Sequence, residues 1–201
     1  MTHDMTHETA TPAFALFDTA IGVAGIVWSA RGIAGVQLPE ANASATRARL
    51  LRRRFAGAQE APPPPHVQHA IDGIAALLRG EPRDLTDIAI DDDGTPEFNR
   101  RVYAVTRTIP PGRTMTYGEI AARLGDQSLA REVGQALGEN PCPLVMPCHR
   151  VLAAGGKTGG FSASGGVVTK LRLLSIEGAQ PSGPTLFDHL PLQAQGWRRQ
   201  G

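Results

Sequence analysis

The stretch NPCPLVMPCHRVLAAGGKTGGF, Asn140 to Phe161, holds the residues best suited to covalent chemistry, Cys148 and His149 in the run PCHRV. A thiol attacks as the thiolate, and a free pKa of about 8.5 leaves only a small fraction ionised at neutral pH, so a base must be held against it. His149 is adjacent, and a tight turn after Pro147 would bring its imidazole to the thiol, directly or through one water. Glu177, in a helix beyond a Gly-rich loop, could orient that imidazole as the third member of a Cys/His/carboxylate relay. Residue types alone favour a blander answer. Free cysteine is among the most buried residue types, and a Cys-His pair is more often structural than catalytic. The other cysteine, Cys142, also follows a proline; neither a disulfide framework nor a metal knuckle fits this spacing, so both read as reduced thiols.

The elements that must position this stretch follow from the periodicity around it. Thr95 as N-cap and Pro96 at the first helical position open a helix with Phe98, Val102 and Val105 on one face. After a PPG turn, Thr116 and Glu119 form a capping box for the helix YGEIAARLG. A second short helix, Ser128 to Leu137, follows the turn of Gly125, Asp126 and Gln127, giving a helix-turn-helix pattern that is more often plain core architecture than a DNA reader. Upstream, AFALF, VAGIVWS and IAGVQL between Ala13 and Pro39 predict a three-stranded antiparallel meander. Ala43 to Phe55 predicts a helix packing Leu50, Leu51 and Phe55 on that sheet; APPPP breaks the chain, His66 to Leu78 is helical again, and LTDIAI (Leu85 to Ile90) reads as a last strand. The fold class is therefore α/β (α+β): a flexible tail 1–12, a small N-terminal domain 13–93 with an antiparallel sheet plus helix, a mainly helical, winged helix-turn-helix-like domain 94–180, and a C-terminal tail 181–201.

The chain has 201 residues and a net charge of +1, unevenly spread. Residues 1–95 hold 8 Lys+Arg against 12 Asp+Glu, whereas residues 96–177 hold 10 against 6, net +4. A basic segment fits a phosphate-binding face, although many solvated surfaces look the same. No apolar run approaches the roughly 20 residues of a membrane helix, and the first residues lack the pattern of a signal peptide, so a cytoplasmic protein without membrane contact is expected.

PCHRV preceded by Asn140 and Pro141, with TYGEIA upstream and a Gly-rich loop plus KLRLLSIEG downstream, resembles the O6-alkylguanine-DNA alkyltransferase family from Thr95 to Gly178, in order and spacing. The resemblance implies that Cys148 accepts the alkyl group, His149 is its base through a water, Glu177 orients His149, and Asn140 braces the active-site turn. It implies that Tyr117 donates a proton toward guanine N3, relieving the negative charge left on the departing base. Arg131 would fill the gap left by a flipped nucleotide, and Gly134 would let its helix approach DNA closely. Leu137, Val151, Phe161 and Ser162 would line the pocket, with Ser162 or the backbone beside it contacting O6. Candidates for phosphate contacts are Arg100, Arg101, Arg113 and Arg123.

The implied partner is duplex DNA carrying O6-alkylguanine, with O4-alkylthymine as a further lesion, bound by a monomer in the minor groove, whose degenerate code suits damage search better than sequence readout. No cofactor and no metal are expected: no cysteine precedes Cys142, and His3, His7, His66 and His69 are scattered. Two features depart from the family pattern. The lid GGFSASGGVVTK is longer than usual, and Phe161 stands where many members have tyrosine. Three other readings compete with this one. A lesion sensor lacking the acceptor is opposed by Cys148; an unrelated Cys-His-Glu hydrolase leaves Arg131 and the helix pair without purpose; a helix-turn-helix regulator would read the major groove with sequence preference.

Overall fold

Three successive β-rich runs separated by turns form β1 (Ala13–Thr19), β2 (Gly22–Ser29) and β3 (Gly32–Gln37), each antiparallel to the next. This is a computed structural model, in which residues 11–179 are described. The tails expected at 1–12 and 181–201, with His3, His7, Trp197, Arg198 and Arg199, fall outside them but for two residues. Alternation sorts the sheet's side chains. Phe14, Val27 and Ala34 face Leu50, while Ala15, Ile26, Trp28, Ile33 and Val36 face the main core. The helix expected over 43–55 is α1 (Ala43–Leu50), capped by the Asn42 side chain, followed by a turn of 3₁₀ helix at Arg53–Phe55. Gly25 and Gly35 make this packing possible, because a Cβ on either would lie 2.8 Å from Leu50 or 2.5 Å from Phe55. A two-residue strand, β4 (Gln59–Glu60), adds to the sheet parallel to β1, giving the order β3-β2-β1-β4.

Pro65 starts α2 (Pro65–Leu78), which buries Val67, Ala70, Ile71, Ile74 and Leu77, the stripe expected of a helix with one core face. The strand expected at 85–90 does not form. The Arg107 guanidinium donates to the carbonyls of Leu85, Thr86 and Ile88, so a side chain takes the acceptors that a neighbouring strand would use. Only Ile90 forms a bridge, to Ile33.

Beyond residue 94 come α3 (Glu97–Arg107), β5 (Met115–Thr116), α4 (Tyr117–Arg123), α5 (Ala130–Gly138), β6 (Val151–Leu152) and α6 (Gly166–Ile176). α3 starts one residue later than the sequence suggests: Pro96 keeps an extended ψ of 145° and occupies the cap position itself. The Thr116/Glu119 capping box is present at α4. The second helix of the pair divides into a 3₁₀ turn, Gln127–Leu129, and α5, which packs against α4 and α3. Tyr103 secures that packing by donating its hydroxyl proton to the Ala136 carbonyl at 2.9 Å. β5 and β6 form a short parallel pair, and one buried cluster continues from the N-terminal sheet into the helical region. No helix among the described residues is long and apolar enough to cross a membrane.

Candidate active site

The turn between α5 and β6 is braced at both ends by one side chain. Asn140 donates from Nδ2 to the Met146 carbonyl at 2.7 Å and accepts on Oδ1 from the Cys142 amide at 2.9 Å. Within it Leu144 has φ 74°, an uncommon and costly conformation for a bulky residue, which persists only where the surroundings enforce it. The enforcement also comes from the N-terminal sheet. Val36 on β3 donates its amide to the Pro141 carbonyl at 2.8 Å, and the Cys142 Sγ lies 3.8 Å from the Ile33 carbonyl.

Cys148 opens a 3₁₀ turn, Cys148–Arg150, that leads into β6. Its side chain is 7% exposed and lines a cavity of about 520 Å³ together with Tyr117, Arg131, Gly134, Leu137, Phe161 and Ser162. Burial pushes the thiol's pKa up, opposed by a hydrogen bond with Asn140 and by the charge of Lys170. The resting group is therefore a thiol that needs a base.

His149 is fully buried. Its Nε2 lies 2.9 Å from Oε1 of Glu177, the residue that caps the C-terminus of α6. Burial alone would raise the Glu177 pKa, yet hydrogen bonds with His149 and Arg150 bring it down to about 2. An ionised carboxylate can only accept, so Nε2 carries the proton and Nδ1 is left with a free lone pair. Burial lowers the His149 pKa, which keeps the ring neutral. Nδ1 is buried and has no hydrogen-bond partner among the described residues; nor is there a direct bond to Cys148. The hydrogen bond to Glu177 leaves His149 one basic nitrogen and fixes that it is Nδ1.

Two charged residues that sequence reasoning missed complete the site. Arg150 holds Glu177 through Nε at 2.9 Å and Nη2 at 2.8 Å and donates from Nη1 to the Ile109 carbonyl at 2.6 Å. Lys170, on α6, is fully buried and donates from Nζ to the Val151 carbonyl at 2.5 Å and toward the Gly160 carbonyl at 3.4 Å, with burial lowering its pKa to about 8. It ties β6 to the base of the lid and sits 5.8 Å from the centre of the Tyr117 ring. The one signal available was position: Arg150 follows His149, and Lys170 opens the run KLRLLSIEG that ends beside Glu177, but long cations there read as solvated.

Tyr117 is half-buried, and burial raises its pKa, so the phenol remains a proton donor near neutral pH. Its ring packs where the lid begins. A Cβ on Gly159 would lie 3.0 Å from the ring Cε2 and 3.1 Å from the hydroxyl, at a residue with φ +66°. Gly159→Ala is expected to displace Tyr117 or the lid and slow the reaction at Cys148 about tenfold, the size of roughly 1–2 kcal/mol of left-handed strain. Timed single-turnover assays with thermal melting check this, and an unchanged rate would show that the lid does not set the Tyr117 position. At Gly134 the same addition makes an ordinary 3.8 Å contact with that ring.

Val151 is a correction among the pocket residues. It does not line the cavity, because β6 buries its side chain completely in the core; only its carbonyl has a role here, as the acceptor for Lys170. The phosphate candidates also divide. Arg100 is paired with Glu97 at 2.6 Å, and Arg101 donates to the Leu124 carbonyl at 3.0 Å. Arg123 reaches Thr108 at 3.5 Å, whereas the exposed Arg113 makes no side-chain hydrogen bond among the described residues.

Residues 97–179 match the family described as 6-O-methylguanine DNA methyltransferase, DNA binding domain. A methylated-DNA–protein-cysteine methyltransferase from Methanothermobacter thermautotrophicus is 36% identical over 159 residues, covering 79% of this chain and 81% of that one. One from Mycolicibacterium paratuberculosis is 44% identical over 120 residues, 59% of this chain and 70% of that one. The crystal structure of the Mycobacterium tuberculosis O6-methylguanine methyltransferase superposes with a TM-score of 0.66 at 32% identity, covering 88% of this chain and 99% of that one. A structure of the Mycobacterium tuberculosis protein in complex with DNA gives 0.68 at 31%, over 83% and 92%. With the fold, the Cys-His-Glu geometry and these likenesses in agreement, the chain belongs to the methylated-DNA–protein-cysteine methyltransferase family.

Proposed function

We propose that this DNA-repair alkyltransferase flips O6-alkylguanine out of duplex DNA into the cavity beside Cys148 and transfers the alkyl group irreversibly to that thiol, once per molecule. One observation carries the proposal. Cys148 forms the wall of a cavity large enough for a base, while His149, with Nε2 pinned by Glu177, keeps its free Nδ1 as the base for the thiol. His149 takes the proton of Cys148 through a water, the thiolate Sγ bonds to the alkyl carbon, and the carbon–O6 bond breaks with its electron pair passing to the ring. Tyr117 donates its proton toward N3, so the base leaves neutral. The product is a thioether, which neither attacks again nor returns to thiol by exchange, and single use follows.

A stacked base hides the carbon under attack, so the nucleotide must leave the duplex. Arg131, exposed at the start of α5 and lining the cavity, is placed to fill the gap. Gly134 and Leu137 lie on the same helix and line the same cavity, with Gly134 keeping its surface low for a minor-groove approach. Recognition through phosphates and a degenerate groove gives little sequence preference and strong salt dependence, with Arg113 the one of the four phosphate candidates whose side chain has no hydrogen bond among the described residues; a monomer suffices. O4-alkylthymine is a second substrate of the same chemistry.

Arg131→Ala is the test. Filling a gap left by a base offsets an unstacking cost of a few kcal/mol. The variant is expected to repair O6-methylguanine in duplex DNA at least about tenfold more slowly and to react normally with the free base O6-benzylguanine. Equal slowing on both would mean that Arg131 acts in the pocket chemistry and not in the duplex.

A further inference from the structure

A second cavity of about 410 Å³ adjoins the first, sharing Cys148, Phe161, Ser162 and Gly138 as walls. Its remaining walls include Pro143 on the active-site turn and Arg49, Arg52 and Arg54 from the end of α1 and the turn after it. The transfer described above uses none of these arginines.

The cavity has an excess of positive charge. Three guanidinium groups face one wall carboxylate, Glu139, which already accepts from Asn99 at 2.9 Å. Arg49 is engaged by Glu40 at 3.1 Å and by the Ser162 carbonyl at 3.4 Å, and Arg54 donates to the Asp93 carbonyl at 3.1 Å. The exposed Arg52 makes no side-chain hydrogen bond among the described residues, so its donors are available.

Cys148 borders both cavities, which matters for substituents larger than methyl. The carbon under attack must sit at Sγ while the base occupies the first cavity, so a longer chain on that carbon needs volume beside Sγ that the base does not fill. The second cavity is such a volume, and its lining is cationic. Resting on the alkyltransferase reading above, we propose that Arg52, with Arg54, makes the second cavity favour O6 substituents whose tails end in a carboxylate. The bonds made and broken are those of methyl transfer: Sγ–carbon forms, carbon–O6 breaks, the proton from Tyr117 goes to N3, and the tail travels unchanged.

The experiment compares single-turnover rates on three duplexes, carrying O6-methyl-, O6-pentyl- and O6-carboxybutylguanine, for the protein and for Arg52→Glu. The wild-type ratio of carboxybutyl to pentyl rates should fall about fivefold in Arg52→Glu, the scale of one exposed ion pair replaced by one exposed repulsion. It should also fall in high salt, which screens exposed charges beyond a few ångströms, while the methyl rate of the variant stays unchanged. A ratio unaffected by the substitution overturns the proposal. So does equal slowing on all three duplexes, which would make Arg52 a contact to DNA phosphate. Failure of the wild-type protein on O6-methylguanine would instead remove the alkyltransferase reading on which the proposal rests.

Discussion

Cys148→Ala is expected to lose alkyl transfer completely while still binding alkylated duplex as tightly as the parent protein. The loss is total because no other thiol can substitute. Cys142 is fully buried with its sulfur against the Ile33 carbonyl of β3, and burial pushes its pKa up to about 12. His149 Nδ1, the other nucleophilic atom of the site, is buried, and His149 is not among the residues that line the base cavity. Folding should survive, because the sulfur faces the cavity and its removal enlarges a space already present. Single-turnover repair and electrophoretic binding, measured side by side, check the two halves of the expectation. Residual transfer in the variant would place the acceptor elsewhere.

Glu177→Gln should damage stability and reactivity together. Glu177 is 2% exposed and Arg150 6%, so the substitution strands a buried guanidinium without its carboxylate, and breaking such a pair costs about 3–5 kcal/mol. For a chain of this size the midpoint of thermal unfolding would fall by roughly ten degrees. The neutral amide also ceases to enforce the His149 tautomer, and loss of a positioned base reduces transfer by about 10²-fold or more. Wild-type pH dependence carries the same signature. The Glu177 pKa is depressed to about 2 from an ordinary value of 4.5, so its contribution is complete above 4.5 and is lost as pH falls toward 2. The His149 pKa is also depressed in the folded state, so protonation below 6.5 favours unfolding and adds to the loss. In Glu177→Gln the acid-linked fall between 4.5 and 2 should shrink. An unchanged melting profile from about pH 7 to about pH 3 would show that the Glu177–Arg150 pair is not a stabilising element.

Much of this was legible in the sequence where local rules act alone. The meander follows from three β-rich runs, and the α4 cap follows from Thr116 and Glu119. The site itself was not legible from residue types; it was the family resemblance carried by PCHRV, with Asn140 before it and Glu177 after it, that singled out residues the fold brings together. What remained hidden depends on side chains reaching across the chain. Leu85 to Ile90 has the composition of a strand, and nothing local reveals that Arg107 would take its carbonyls. Val151 lies beside the site in sequence but points into the core, because a strand fixes which face each residue presents. Arg150 and Lys170 are cations that local reading assigns to solvent; only the folded arrangement supplies the carboxylate and carbonyls that make their burial tolerable. The support of the active-site turn by Val36 joins residues far apart in the chain and has no local signature.

The central claim is that Cys148 itself becomes the alkyl acceptor, and intact mass with peptide mapping after incubation with duplex DNA containing O6-methylguanine tests it most directly. The predicted result is one added methyl group, on the peptide carrying Cys148, reaching one equivalent and stopping, with no addition on undamaged duplex. Tight lesion binding with no change in mass, or a methyl group mapped to any other residue, would contradict it.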